Sequence, residues 1–180
     1  RRSNLRAGFR LPAFRALADA VHGAGGRIFG QIWYHWLSAG NWGPLTPPAP
    51  SFAPSRAQFG FGGSTGATHA ASHAELRMMG DAHRQAAKHL AEAGFDGIEI
   101  HASHSGMIEQ FLSPYFNRRS DEYGGSLENR MRLLVETLEA VREGAGPNLA
   151  VGMRLNCDEL VEGGYNTLGA HEALAATCKN

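Results

Sequence analysis

Residues 94–125, reading GFDGIEIHASHSGMIEQFLSPYFNRRSDEYGG, decide the fold. The run opens as a short buried strand, Phe95 to Ile100. Ile98 and Ile100 alternate with Gly97, Glu99 and His101, which is the period of a strand. Gly94 bounds the run, which is too short and too sharply delimited for a helix. Two histidines, His101 and His104, follow where the strand must end. A polar pair at the C-terminal end of a parallel strand is where α/β folds place their chemistry.

The flanking sequence alternates helix and strand. Before the strand, Ser72 and Glu75 form an S-x-x-E capping signature. Leu76, Met79, His83, Ala86, Leu90 and Ala93 then mark one face of a helix ending at Gly94. Further back, Phe14, Leu17, Ala18 and Val21 space an amphipathic helix with Pro12 in its first turn. Arg1–Arg10 reads as basic and irregular. Gly25-Gly26 ends that helix, and Arg27 to Trp33 is a strand. Asn41–Ala70 holds five of the eight prolines and reads as a long loop excursion without packed elements. After the central stretch, Ser126 caps a helix whose buried face is Leu127, Met131, Leu134, Leu138 and Val141. Leu149–Leu155 is a third strand, and Asn166 or Thr167 caps a final helix.

This alternation predicts an α/β fold with a parallel sheet. Pattern alone leaves a doubly wound sheet and a barrel both open. No GxGxxG turn follows any strand, which lowers the dinucleotide-binding reading. The totals narrow the function classes. The chain has 180 residues, near the size of one domain, with 43% apolar residues and a formal net charge of zero. That balance argues against nucleic acid or a membrane surface as partner and leaves a small-molecule substrate. Cys157 and Cys178 form no CxxC spacing, so no disulfide framework or zinc site is indicated, and a reducing cytoplasm is the default location.

Gln31, His101 and Arg154 each lie near the C-terminal end of a different predicted strand. In a barrel such ends share one mouth. A rival reading is a metal-dependent barrel hydrolase or lyase using His101 and His104. It is disfavoured because a strand does not bring i and i+3 together as a helix does, and no third ligand is evident nearby.

The motifs His101-Ala-Ser-His104, Gln110-Phe-Leu-Ser-Pro114, Asn117-Arg-Arg-Ser-Asp-Glu-Tyr-Gly-Gly125 and Ser126-Leu-Glu-Asn-Arg130 together resemble the old yellow enzyme family of NADH:flavin oxidoreductases. Within it they look most like the branch with 2,4-dienoyl-CoA reductase and trimethylamine dehydrogenase. Leu11–Trp33 and Val151–Gly164 carry weaker matches. The resemblance implies a (β/α)8 TIM barrel that binds FMN. Such a barrel needs about 250 residues, so the chain is expected to hold the third, fourth and fifth of eight strands, as one partial barrel domain over residues 1–180. It begins at Arg1 and stops at Asn180 inside what reads as a helix, so a fragment of a longer frame is expected, inactive in isolation. For that branch, a 4Fe-4S cluster and a further domain binding FAD and NAD(P)H would lie beyond Asn180. The parent's substrate, electron donor and oligomeric state stay open.

The resemblance also implies roles. Gln31 matches the glutamine on the pyrimidine edge of the flavin, where an amide offers donor and acceptor together. Arg154 matches the arginine near flavin N1 and O2, where reduction places negative charge. His101 and His104 match the pair that binds the substrate's carbonyl oxygen or an equivalent anionic group. Two positions depart from the family. Gly106 stands where the reductases commonly carry a proton-donating tyrosine. Tyr34, followed by His35, stands where a histidine is common, so Tyr34 is a candidate pocket phenol. Arg118, Arg119 and Asp121 are expected to pin the loop after the strand and not to touch substrate.

Overall fold

The structure is a computed structural model. It describes residues 4–34, 51–56, 58–61, 64–104, 106–166 and 175. The elements are α1 (Asn4–Gly23), β1 (Phe29–Ile32), β2 (Ser51–Ala53), β3 (Gln58–Phe61), β4 (Ser64–Ala70), α2 (His73–Glu92), β5 (Gly97–Ala102), α3 (Met107–Leu112), α4 (Leu127–Ala145) and β6 (Ala150–Leu155). The chain divides into two compact units. One comprises 1–32, 77–100 and 136–154; the other comprises 33–76, 101–135 and 155–180.

The first unit is built on the sheet β1-β5-β6. β1 and β5 run parallel, with Phe29 opposite Gly97 and Gln31 opposite Glu99. Ala150 N–H donates to Asp96 O (3.3 Å), so β5 and β6 start side by side. One sheet face is covered by α2: a Cβ at Gly30 would lie 2.6 Å from the Leu90 side chain. Among the described residues no helix is seen to cover the face bearing Phe29 and Gln31 in this way, and Phe29 is 57% exposed. On α2, Met79, His83, Leu90 and Ala93 are buried as their spacing predicts. His83 Nδ1–H donates to Met79 O (2.8 Å), and burial pushes its pKa down, keeping the ring neutral.

Asp96, between α2 and β5, ties the start of this sheet together. Its carboxylate accepts from Ile28 N–H (2.8 Å) and Arg27 (2.7 Å) and lies 2.8 Å from His22 Nε2. The Ile28 N–H first, then His22 and Arg27, hold its pKa well below the usual carboxylate range. A depressed carboxyl contributes stability that is complete above the unfolded value, about 3.9, and is lost as pH falls through the folded value. A melting-temperature profile from pH 6 to strongly acid conditions is therefore expected to be flatter for Asp96→Asn than for the native protein at the acid end. Profiles of equal slope would count against Asp96 as the carrier.

Helices α2 and α4 meet at Gly144. A Cβ there would lie 2.1 Å from Arg84 O and 3.1 Å from Ala87 Cβ. Gly144→Ala gains up to about 1 kcal/mol of helix propensity but forces the helices apart at about 1–3 kcal/mol. Net destabilisation is expected, read as a lower urea midpoint at unchanged m-value.

The second unit contains the sheet β2-β4-β3, in which β2 pairs with β4 in parallel and β3 with β4 antiparallel. This corrects the expectation that residues 41–70 carry no packed element. Prolines and glycines hid three short strands from a period-two reading. Residues 41–50 lie outside the described residues. A second correction concerns α1, which starts at Asn4, so residues 4–10 are helical and Pro12 lies inside the helix. The helix expected after Asn166 lies outside the described residues, apart from residue 175.

Both anticipated caps are present. Ser72 N–H donates to Glu75 Oε2 (2.8 Å) and Glu75 N–H to Ser72 Oγ (3.3 Å), the reciprocal capping box. Asn129 N–H donates to Ser126 Oγ (3.3 Å).

Candidate functional site

The candidate flavin contacts lie in the first unit. Gln31 is on β1, and its Nε2 donates to Glu99 Oε1 across the parallel pair. Strand alternation puts Glu99 on the same face as Gly97 and Gln31, so period two could have flagged it as Gln31's partner. Arg154 is exposed on β6. An amide and a cation suit a planar cofactor with a polar edge. On donor chemistry the residues present fit FMN.

The candidate substrate residues lie in the second unit. His101 is the penultimate residue of β5 and is 7% exposed. His104 follows in the left-handed region, φ 53°, an uncommon conformation for a residue with a Cβ. The two rings have centroids 5.1 Å apart. His101 also meets the Trp33 indole edge to face, with centroids 5.1 Å apart. Trp33 itself is 50% exposed. Sequence reasoning missed it, because an aromatic closing a strand looks like core.

Gly106 borders this group. A Cβ there would stand 3.5 Å from Trp33 Nε1, 3.9 Å from His101 Cδ2 and 3.0 Å from Ser103 O. A side chain at 106 would thus point between Trp33 and His101. Its φ of −65° and ψ of 164° are open to any residue, so the close approach of the Ser103 carbonyl, and not the backbone angles, is what a side chain here would have to relieve.

Tyr34 is held differently. Its ring stacks on Phe52 (5.4 Å, 29°), and its carbonyl accepts from Met107 N–H at 3.4 Å. Burial first, then the Glu75 charge, pushes the phenol's pKa up, so it stays protonated.

The strongly patterned run after α3 is a pinned loop. Arg119 donates through Nε to Asp121 Oδ1 (2.9 Å), through Nη1 to Ala71 O (2.7 Å) and Pro54 O (3.1 Å), and through Nη2 to Asp121 Oδ2 (2.5 Å). It also lies over the rings of Phe111 (5.7 Å) and Tyr123 (5.9 Å). Arg119 first holds Asp121 down to about 2. Asn117 Nδ2 donates to Phe111 O and Tyr123 O, each at 2.7 Å. Among the described residues the three-membered group of potential metal ligands is His73, Asp121 and Glu122, which includes neither His101 nor His104.

Known proteins resemble the chain over most of its length. It is 40% identical over 149 residues to N,N-dimethylglycine/sarcosine dehydrogenase of Chromohalobacter salexigens, covering 83% of this chain and 21% of that protein. It is 36% identical over 165 residues to NADH oxidase of Thermoanaerobacter brockii, covering 92% and 25%. Among solved structures, histamine dehydrogenase from Rhizobium sp. 4-9 superposes with a TM-score of 0.83 at 31% identity, over 92% of this chain and 24% of that one. Morphinone reductase gives 0.73 at 32%, over 93% and 49%. The chain thus spans roughly a fifth to a half of the length of these relatives. With these neighbours, the β1-β5-β6 sheet and its helices are part of a (β/α)8 barrel, about three strands of it. A family model described as NADH:flavin oxidoreductase / NADH oxidase matches residues 9–179, and on that span the chain belongs to this family.

Proposed function

We propose that the full-length protein is an FMN-dependent oxidoreductase that transfers hydride between the flavin and a small substrate held by His101 and His104. The observation that carries this reading is the pairing of the two imidazole rings, 5.1 Å apart, at the end of β5 in a chain of this family. When bound, the flavin would supply hydride acceptance and donation. Gln31 would hold its pyrimidine edge, and Arg154 would offset the negative charge that reduction brings. His101 and His104 would donate N–H hydrogen bonds to a carbonyl oxygen or an equivalent anionic group and steady the charge developing there.

Gly106 bears on the substrate. With no side chain between Trp33 and His101, this position offers no phenol to deliver a proton to a reduced enone. Oxidation of a C–N bond, or a specialised reduction, is therefore favoured over simple enone reduction. The likeness to dimethylglycine/sarcosine dehydrogenase and histamine dehydrogenase leans the same way. The rival is enone reduction with Tyr34 as proton source. A visible spectrum of the purified protein tests the first claim: no flavin absorbance, even after reconstitution with FMN, would overturn it. Anaerobic turnover with 2-cyclohexenone and with methylated amines tests the second. Amine turnover is expected to exceed enone turnover, and fast enone turnover that survives Tyr34→Phe would reverse the preference and remove Tyr34 from the reaction.

A further inference from the structure

His73, Asp121 and Glu122 converge in the second unit, apart from the residues assigned to flavin and substrate. Each offers one ligand atom, and the three atoms lie within 4.8 Å of one another. His73 is the first residue of α2. The Ser72–Glu75 capping box fixes the helix start that carries it. Asp121 and Glu122 belong to the loop that Arg119 pins.

The spacing within this group is long for hydrogen bonding. Charge-assisted N–H···O contacts close to about 2.7–2.9 Å. Two histidine–carboxylate contacts elsewhere in the chain do so: His69 Nε2 lies 2.7 Å from Glu75 Oε1, and His22 Nε2 lies 2.8 Å from Asp96 Oδ2. His73 Nε2 instead stands 3.3 Å from Asp121 Oδ2 and 3.6 Å from Glu122 Oε1. One ring nitrogen faces two carboxylate oxygens and closes on neither. Ligands of a tetrahedral metal with bonds of about 2.0–2.1 Å lie about 3.3 Å apart along each edge. The two distances are nearer to that edge than to a charge-assisted hydrogen bond.

The surroundings hold the ligands in place. Arg119 donates to both oxygens of Asp121 (2.9 and 2.5 Å), and Tyr123 N–H donates to Oδ1 (3.2 Å). A carboxylate oxygen has two lone pairs, so Oδ2 can serve Arg119 and a cation together. Ligating carboxylates are commonly oriented by such a hydrogen bond. The His73 ring is set against Tyr123, with centroids 5.5 Å apart. Asp121 is half-buried and the other two residues are exposed, which leaves room for water on the ion. The guanidinium charge also repels a cation, so the site suits an exchangeable ion and not a permanently held one.

We propose that His73, Asp121 and Glu122 bind a zinc ion through three protein ligands and water, tying the start of α2 to the loop after α3. Imidazole beside carboxylates favours zinc over magnesium and calcium, which take oxygen ligands. The site is independent of the hydride-transfer reading, because none of its residues is assigned to flavin or substrate.

Equilibrium dialysis of the full-length protein against zinc, with bound metal measured by elemental analysis, tests this. The native protein is expected to hold about one equivalent more per chain than His73→Ala. Zinc is expected to raise the melting temperature of the native protein and to leave that of His73→Ala unmoved. Glu122→Gln is expected to weaken zinc binding while keeping the zinc-free melting temperature, since the side chain is exposed. Excess magnesium is expected not to displace the zinc. Equal zinc content in native and His73→Ala protein would overturn the proposal, as would undiminished binding in Glu122→Gln. Displacement by magnesium would reveal an adventitious ion on the carboxylates alone and would overturn it as well.

Discussion

Replacing Arg119 with methionine is expected to destabilise the protein by about 1–3 kcal/mol, the cost of leaving a buried acceptor without its donor. The Arg119 side chain is only 8% exposed, and it meets Asp121 with both arms of the guanidinium fork. The same group satisfies the carbonyls of Pro54 and Ala71, so the substitution removes their donor and also leaves a carboxylate bereft of its cation. Methionine fills the volume between Phe111 and Tyr123, which isolates the loss of hydrogen bonding from loss of packing. Arg119→Lys is expected to recover little, because an ammonium cannot reproduce the fork. Arg118 is exposed, and Arg118→Ala is expected to stay within about 0.5 kcal/mol of the native protein. Urea midpoints at constant m-value measure all three. Arg118→Ala as costly as Arg119→Met would show that the loop is pinned in some other way.

His101→Ala is expected to slow hydride transfer by about 10²–10³-fold, the loss seen when one donor to a developing oxyanion is removed. The visible flavin spectrum and flavin content are expected to stay unchanged, since Gln31 and Arg154 are the proposed flavin contacts. Stopped-flow reduction by a methylated amine, with reoxidation by 2-cyclohexenone in parallel, reads the effect directly. His101→Gln keeps an N–H donor and is expected to recover part of the rate. A rate within about threefold of native, less than 1 kcal/mol in the barrier, would remove His101 from the reaction.

Much of the fold was legible because it rests on local chemistry. The Ser72–Glu75 box and the Ser126 cap are contacts three residues apart, and they formed as read. The buried faces of α2 and α4 follow from helical spacing, and β5 follows from the alternation around Ile98 and Ile100. Where local signals competed, the reading failed. Glycines and prolines hid β2, β3 and β4, and α3 escaped because its six residues are too few to show a helical period.

The candidate site divides in the same way. The sequence by itself determined the family motifs, the polar residues at three strand ends, the capping box, the Ser126 cap and the absent side chain at Gly106. Only the tertiary structure decided that Trp33 stands edge-on to His101, that Gln31 shares its amide with Glu99, and that Glu109 clamps both ends of residues 156–165. The clamp joins residues 47 and 56 positions apart, and Arg119 reaches back 65 positions to Pro54. Such contacts carry no periodic signature in the chain. They exist only once folding has brought buried donors and acceptors together, and a buried polar group without a partner is too costly to keep.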